Sequence, residues 1–392
     1  MMSLRTCLVG ILLHIQLSGL AQEVSKENGE NSQPGKISLN GYFSDLLSPQ
    51  YNNFLDQWKT TNYLNQRLNF NWTPSGHLSF TAQLRSRLIY NQAGPDSSYI
   101  NIQDGFFWQK NQLSLNSNFD RFNLKFTQDQ LEVTAGRQRI NWGQSFVWNP
   151  NDIFNSYSYF DFDYIERPGS DAIRLQYYNS FTSVTEVAAK IDRFHKITVA
   201  GLYRFNHKGW DYQVMGGLLS SEDAVLGAGF TGNIHSVSIY GEGSYFRPIH
   251  NFADTTAMTM IDLGCSKTLG NNIRMQFEGL YVNKNMNINS LLNFFQTTLD
   301  VRKIAFAKIN LFGSISYPIT PLITGSLAMM WFPDTGGIHG FYTGPSLDFS
   351  LGNNIGLSVI AQYFNGNFPD ANTLQLEKQV LLLSFVRLKW NF

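Results

Sequence analysis

Residues 136–152 read Gly-Arg-Gln-Arg-Ile-Asn-Trp-Gly-Gln-Ser-Phe-Val-Trp-Asn-Pro-Asn-Asp, a run that brings several distinct chemical groups together. Arg137 and Arg139 carry planar donor forks suited to carboxylates. Gly136 lets two backbones crowd at a strand end, Asn149-Pro150 starts a turn, and Asp152 is a nearby acceptor. From there to Ser170 come Asp161, Asp163, Glu166 and Arg167 among the rings of Tyr157, Tyr159, Phe160, Phe162 and Tyr164, too many rings for a fully solvated loop. None of this is a catalytic set. The histidines at 77, 195, 207, 235, 250 and 339 fall at turns or loops, no two have metalloprotease spacing, and the G-x-S-x-G elbow is absent. Cys7 and Cys265 are the two cysteines, too few for a disulfide framework or a Cys-based zinc site. No catalytic residue, cofactor or metal ligand is expected, and the chain reads as not an enzyme.

The elements that must position these groups follow a period of two. Leu68, Phe70 and Trp72 alternate with Asn69 and Asn71; after Pro74-Ser75-Gly76, Leu78, Phe80, Ala82 and Leu84 alternate with Ser79, Thr81, Gln83 and Arg85. That is a hairpin with one apolar and one polar face. About eighteen such segments are expected: 36–46, 60–73, 76–90, 111–127, 130–138, 171–179, 183–192, 196–207, 210–220, 223–233, 235–247, 256–268, 272–283, 303–317, 321–332, 340–351, 354–366 and 378–392. Soft boundaries in 111–138 and 223–247 leave sixteen as the alternative. Every second link is short and the intervening ones include the long stretches 47–59, 91–110, 139–170, 284–302 and 367–377. Loop length segregated by parity is a property of membrane barrels, not of soluble sandwiches. The fold class expected is all-β, a transmembrane antiparallel β-barrel.

Composition agrees. Of 392 residues, 15% are charged, against roughly 25% in soluble domains, and 15% are aromatic. The 29 basic and 29 acidic side chains cancel, so the electrostatic footprint of a nucleic-acid binder is missing. Residues 1–21 read as a cleaved secretory signal, with Arg5, an apolar stretch from Leu8 to Leu20 and Gly19-Leu20-Ala21 at its end. Residues 22–35 form a polar, flexible lead-in, and 36–392 the barrel, in the outer membrane. On the last strand Leu382, Val386, Leu388, Trp390 and Phe392 share one face. Trp390 and the terminal Phe392 resemble the signal read by barrel-assembly machinery.

Charge at the lipid face costs roughly 2–4 kcal/mol for Arg or Lys at mid-bilayer, so the polar parity is assigned to the lumen. There, closure of the ring places Arg67, Arg85, Arg87, Lys125, Arg174, Arg387 and Lys389 in one basic arc, interrupted by Glu132. Glu186, Asp211, Glu242, Asp262, Glu278 and Asp348 occupy the remaining arc. Opposed arcs would set up a transverse field across a water-filled passage and favour anions or polar solutes; the plainer reading is that these charges pair across neighbouring strands. Tyr63, Trp72, Tyr90, Tyr203, Trp210, Tyr245, Tyr281, Tyr317, Trp331, Tyr363 and Trp390 are expected to form interfacial girdles, and Cys265 to face lipid beside Leu263.

The GRQRINWG run with its NPND continuation resembles a signature in a group of porin-like outer-membrane barrels of Gram-negative bacteria, where it opens a long external loop. The resemblance implies a channel-like barrel whose ligand is often undefined. The rings of segment 139–170 give two equal readings: it folds into the lumen and narrows it, with Arg137 or Arg139 tethered to a loop carboxylate, or it is an external loop packed on itself. Strict alternation from Leu131, Val133 and Ala135 points Arg137 outward, which would need a bulge or a strand end above the bilayer. The function expected is passive passage of small polar or anionic solutes. A structural or export-associated barrel with a plugged lumen, or a barrel hydrolase, are the alternatives. The partners expected are outer-membrane lipids, assembly machinery and small solutes, without nucleic acid; oligomeric state is left open.

Overall fold

The computed structural model describes residues 35–52, 57–92, 105–157, 159–160, 166–167, 169–192, 194–250, 252, 257–284, 300–369 and 375–392. The leader, most of the lead-in, and Asp161, Phe162, Asp163 and Tyr164 lie outside them.

Among the described residues, nineteen antiparallel strands form one sheet closed on itself. In chain order they are β1 (Lys36–Asn52), β2 (Gln57–Ser75), β3 (Leu78–Asn91), β4 (Gly105–Lys110), β5 (Leu113–Gln128), β6 (Leu131–Gln138), β7 (Ser170–Ser180), β8 (Ser183–Ile191), β9 (Ile197–His207) and β10 (Trp210–Leu219). There follow β11 (Asp223–Ile234), β12 (Val237–Pro248), β13 (Met258–Thr268), β14 (Arg274–Val282), β15 (Ile309–Thr320), β16 (Ile323–Phe332), β17 (His339–Ser350), β18 (Ile355–Pro369) and β19 (Leu376–Asn391). β4 adds nothing to the circumference: it pairs with β5 residues 113–118, along the edge that β6 occupies lower down at 122–128. The ring is therefore an 18-strand transmembrane barrel, the expected count. The link 91–110, expected as loop throughout, contains β4. The segment expected over 303–317 joins the wall only at Ile309, because residues 301–307 turn inward and are largely buried.

Closure is made by β19 against β1, with Gly41 and Phe392 exchanging backbone hydrogen bonds of 3.0 Å each way. Outside this seam Phe43, Trp390 and Phe392 stack within 5.5–6.1 Å of one another. Lipid-facing positions are apolar around the ring; on β16, for example, Leu327, Met329 and Trp331 are exposed while Ala328, Met330 and Phe332 point in and are buried. Cys265 shares the outward parity of Ile261 and Leu263. Of the aromatic residues assigned to girdles, Tyr63 departs from that assignment: it faces inward, 7% exposed, beneath the Arg87 guanidinium.

Two expectations about the interior are corrected. The inward parity is not uniformly polar. Toward the end that carries the long links it is apolar, with Phe246, Met260, Leu280, Val282, Met330, Phe332, Phe364 and Phe368 buried, whereas toward the short turns it carries Asp211, Arg274, Asp348, Arg387 and Lys389. The apolar inward residues meet inserted chain rather than water, which removes the cost of placing them inside. Nor is Glu132 alone in the basic arc. At Asp120 the β3–β5 register skips a residue, Gln83 facing Arg121 and Leu84 facing Phe119. This bulge turns both Asp120 and Arg121 to the lumen and leaves Phe119 and Phe122 outside, their rings 5.3 Å apart.

Candidate functional site: an inserted loop facing an arginine cluster

The chain leaves the wall after Gln138 and re-enters it at Ser170, and the described residues between them run inside the barrel. Gly136 makes the departure possible. Its φ is +110°, and a Cβ there would stand 2.4 Å from the Phe122 carbonyl oxygen, so only glycine fits. The motif then anchors the loop. Trp142 is fully buried; its indole N–H donates to Glu186, and its carbonyl accepts from Gln213 at 2.6 Å. Burying such a ring contributes on the order of 2–3 kcal/mol. Gly143 packs on Asn149 so closely that a Cβ would lie 2.1 Å from the amide oxygen. Asn149 in turn accepts from the Asp152 N–H at 3.0 Å, closing the turn that Pro150 starts.

The acids of the β8–β14 wall hold this loop by its backbone. Glu242 accepts from Gln144 N–H at 2.8 Å; Glu278 accepts from Phe146, Val147 and Trp148 N–H at 3.1, 2.8 and 2.8 Å and from the Tyr240 hydroxyl at 3.1 Å. Asn151 reaches Ala228 O at 3.0 Å, and Ser244 donates to Pro150 O at 2.9 Å. Glu186 is also gripped by Arg174 in a two-pronged pair at 2.7 and 2.6 Å. Asp262 lies directly opposite Glu242 and is completely buried. Of the acidic arc, then, Glu186, Glu242 and Glu278 bond the loop and Asp262 is covered by it. Asp211 and Asp348, nearer the short turns, accept from Asn206 and Ser358.

Farther along, Phe160 inserts among Phe306, Tyr342 and Phe364, ring centroids 5.0–5.5 Å apart. Phe306 belongs to a second inward segment and also contacts Phe332 and Phe368. That segment is pinned by Arg302, whose guanidinium bonds Asp300, Glu222 and Asp223, the last two at the β10–β11 turn. Arg302 and Lys196 together hold the Glu222 carboxyl below its usual range.

The return leg crosses to the opposite wall. There Arg67 pairs with Asp120 and donates to Gln83 at 2.5 Å, and Arg85 Nε lies 3.5 Å from the same carboxylate. Arg67 and Arg85 are 2% and 5% exposed, held in place by the bulge residue beneath them. Glu166 stands 3.8 Å from Arg67 and accepts from Tyr42 at 3.3 Å, while Arg121 donates to the Glu166 and Arg167 carbonyls. Arg87 donates to Asn65 at 2.8 Å. Arg67 and Arg85 thus share the Asp120 carboxylate, and Arg67 also reaches Glu166 of the loop, so loop and wall meet through ion pairs. Elsewhere in the basic arc, Lys125 pairs with Glu132 at 3.3 Å, Arg387 donates to Ser358 at 3.3 Å, and Lys389 covers the Tyr42 ring at 3.9 Å.

Among the described residues the carboxylate that Arg137 meets is on the wall. Arg137 keeps its outward parity without a bulge and forms a two-pronged pair with Asp171 across β6–β7, at 2.8 and 2.5 Å. Arg139 is the arginine that faces a loop carboxylate: its charge acts on Asp152, whose carboxyl burial pushes up to about 6. Asp120, Arg121 and residues 301–307 were missing from the sequence reading. A signal existed for the bulge, since Leu113, Leu115 and Phe119 are followed by Phe122, Leu124 and Phe126, a one-residue break of phase.

Solved structures share this architecture. The chain superposes on OccK11 of Pseudomonas aeruginosa with a TM-score of 0.58 at 9% identity, covering 92% of this chain and 98% of that one. For OccK3 of the same organism the values are 0.57, 10%, 90% and 95%, and for OccAB2 of Acinetobacter baumannii 0.58, 9%, 90% and 98%. Neither a protein-family model nor a curated protein matches the sequence. At such identity the likeness is one of fold.

Proposed function

We propose that this chain is an outer-membrane, porin-like channel that passes small polar or anionic solutes by diffusion, through a lumen narrowed by the inserted loop. The observation that carries the reading is the inserted loop itself: Glu242 and Glu278 hold its backbone to one wall, and it faces Arg67 and Arg85 of the basic arc on the other. The shared fold with the Occ porins supports a channel rather than a catalyst. A leader on residues 1–21, lipids as surroundings, and recognition of Trp390 and Phe392 during assembly belong to the same proposal. The aromatic fill around Phe160 and Phe306 favours one competitor, a plugged structural barrel.

Planar-bilayer recording separates the two. A channel gives stepwise conductance with an anion-shifted reversal potential, and Arg85→Gln, which removes one positive charge from the wall facing the loop, moves that potential toward cations. Electrical silence of well-inserted protein overturns the channel; strong cation preference of the wild type overturns the basic passage.

A further inference from the structure

Buried acceptors without donors gather at one place. Among the described residues, Glu242 Oε1, both carboxylate oxygens of Asp262, Gln144 Oε1 and Ser145 Oγ are shielded from solvent and lack well-formed hydrogen bonds, the Ser145 hydroxyl making only a loose contact with Asp262. They are neighbours. Glu242 and Asp262 are directly opposed on β12 and β13, which places their Cβ atoms roughly 5 Å apart. Gln144 is fastened to Glu242 by its own N–H, and its amide oxygen points at Gly229, the β11 residue opposite Glu242, where a Cβ would lie only 2.7 Å away. Ser145 stands beside the Asp262 carboxylate. Asp262 is 0% and Glu242 4% exposed. The charged groups acting most strongly on the pair are themselves acidic, Glu278 and Asp152. Two ionised carboxylates buried face to face with no counter-charge cost several kcal/mol each.

We propose that Glu242, Asp262, Gln144 and Ser145 form a binding site for one divalent hard cation of the calcium type, which clamps the inserted loop to the wall. The donor set is all oxygen, two carboxylates with an amide and a hydroxyl, which suits calcium at ~2.3–2.6 Å and excludes the thiolate and imidazole preferences of zinc or copper. Three or more His, Cys, Asp or Glu side chains do not converge in a metal-holding arrangement among the described residues, so the site depends on these neutral oxygens from the loop. That dependence couples occupancy to docking: without the loop two of the four ligands are gone. With both carboxylates two-pronged, the four side chains supply up to six oxygens, the lower end of what calcium takes.

The test uses the full chain refolded in detergent without lipopolysaccharide, which binds calcium itself. After incubation with calcium chloride at neutral pH and desalting, wild type is expected to retain about one calcium per chain by elemental analysis. Its loop resists chymotrypsin, and chelation abolishes that resistance while the heat-modifiable barrel band persists. Asp262→Asn and Glu242→Gln lose the bound calcium. Absence of retained calcium from folded wild type overturns the site. Loop protection that is unchanged by chelation also overturns it.

Discussion

Glu278 makes the sharpest test of how the loop is held. One of its oxygens accepts from Val147 and Trp148 N–H, the other from Phe146 N–H and the Tyr240 hydroxyl. In Glu278→Gln the amide oxygen can keep the first two bonds, but the NH2 group then opposes the Phe146 N–H. One charge-assisted bond worth about 1.5–3 kcal/mol is lost, and two others fall to neutral strength, at roughly half their former value. The neutral side chain is cheaper to bury, which offsets part of this, so a net weakening of about 3 kcal/mol is expected. At 1.4 kcal/mol per factor of ten, the undocked loop becomes roughly a hundredfold more populated. In single-channel recordings that appears as frequent excursions to a larger conductance, and in solution as faster chymotryptic cleavage within 142–160, with the barrel band unchanged. Identical conductance and cleavage in the variant would refute the claim that these backbone bonds hold the constriction.

Two further outcomes follow from the motif. Burial raises the Asp152 carboxyl to about 6 when the loop is docked, above its ordinary value of 3.8. Between those values the docked loop keeps a proton that the undocked loop has released. The Asp152 contribution to docking is therefore full below about pH 4 and falls through about pH 6 by at most about 3 kcal/mol. Asp152→Asn should abolish that slope in the protease assay; an unaltered slope would assign it to another group. Gly143→Ala forces a methyl against the Asn149 amide and should release the loop as Glu278→Gln does; tolerance of alanine, with normal conductance, would show that the Gly143–Asn149 contact is dispensable.

Much of the wall was legible because lipid outside imposes one requirement on every strand. Period-two alternation and the parity of link lengths gave all eighteen wall segments, and glycine and tryptophan in 136–152 marked the departure into the lumen. The interior was less legible because its environment is other protein. An inward Phe332 or Phe364 looks like an error of parity until Phe306 and Phe160 are placed beside it, and those come from links with no period of their own. The acids at 242 and 278 have backbone N–H groups as partners, which every residue but proline possesses and no sequence pattern reveals. Asp120 escaped notice for a different reason: strict alternation hides a single extra residue unless the phase on both sides is compared.

The inserted loop also sets the order in which the molecule can be completed. It is synthesised after β6, but its holds lie far downstream: Gln144 bonds a residue 98 positions later, Phe146 one 132 later, and Phe160 accepts from Gln362, 202 later. Contacts of such sequence separation form late and slowly, because the entropy of closing the intervening chain must be met first. A nascent barrel therefore has a wide, unguarded interior and two open strand edges until the final residues join β19 to β1, so that the narrowing of the passage and the sealing of the wall are nearly a single kinetic event.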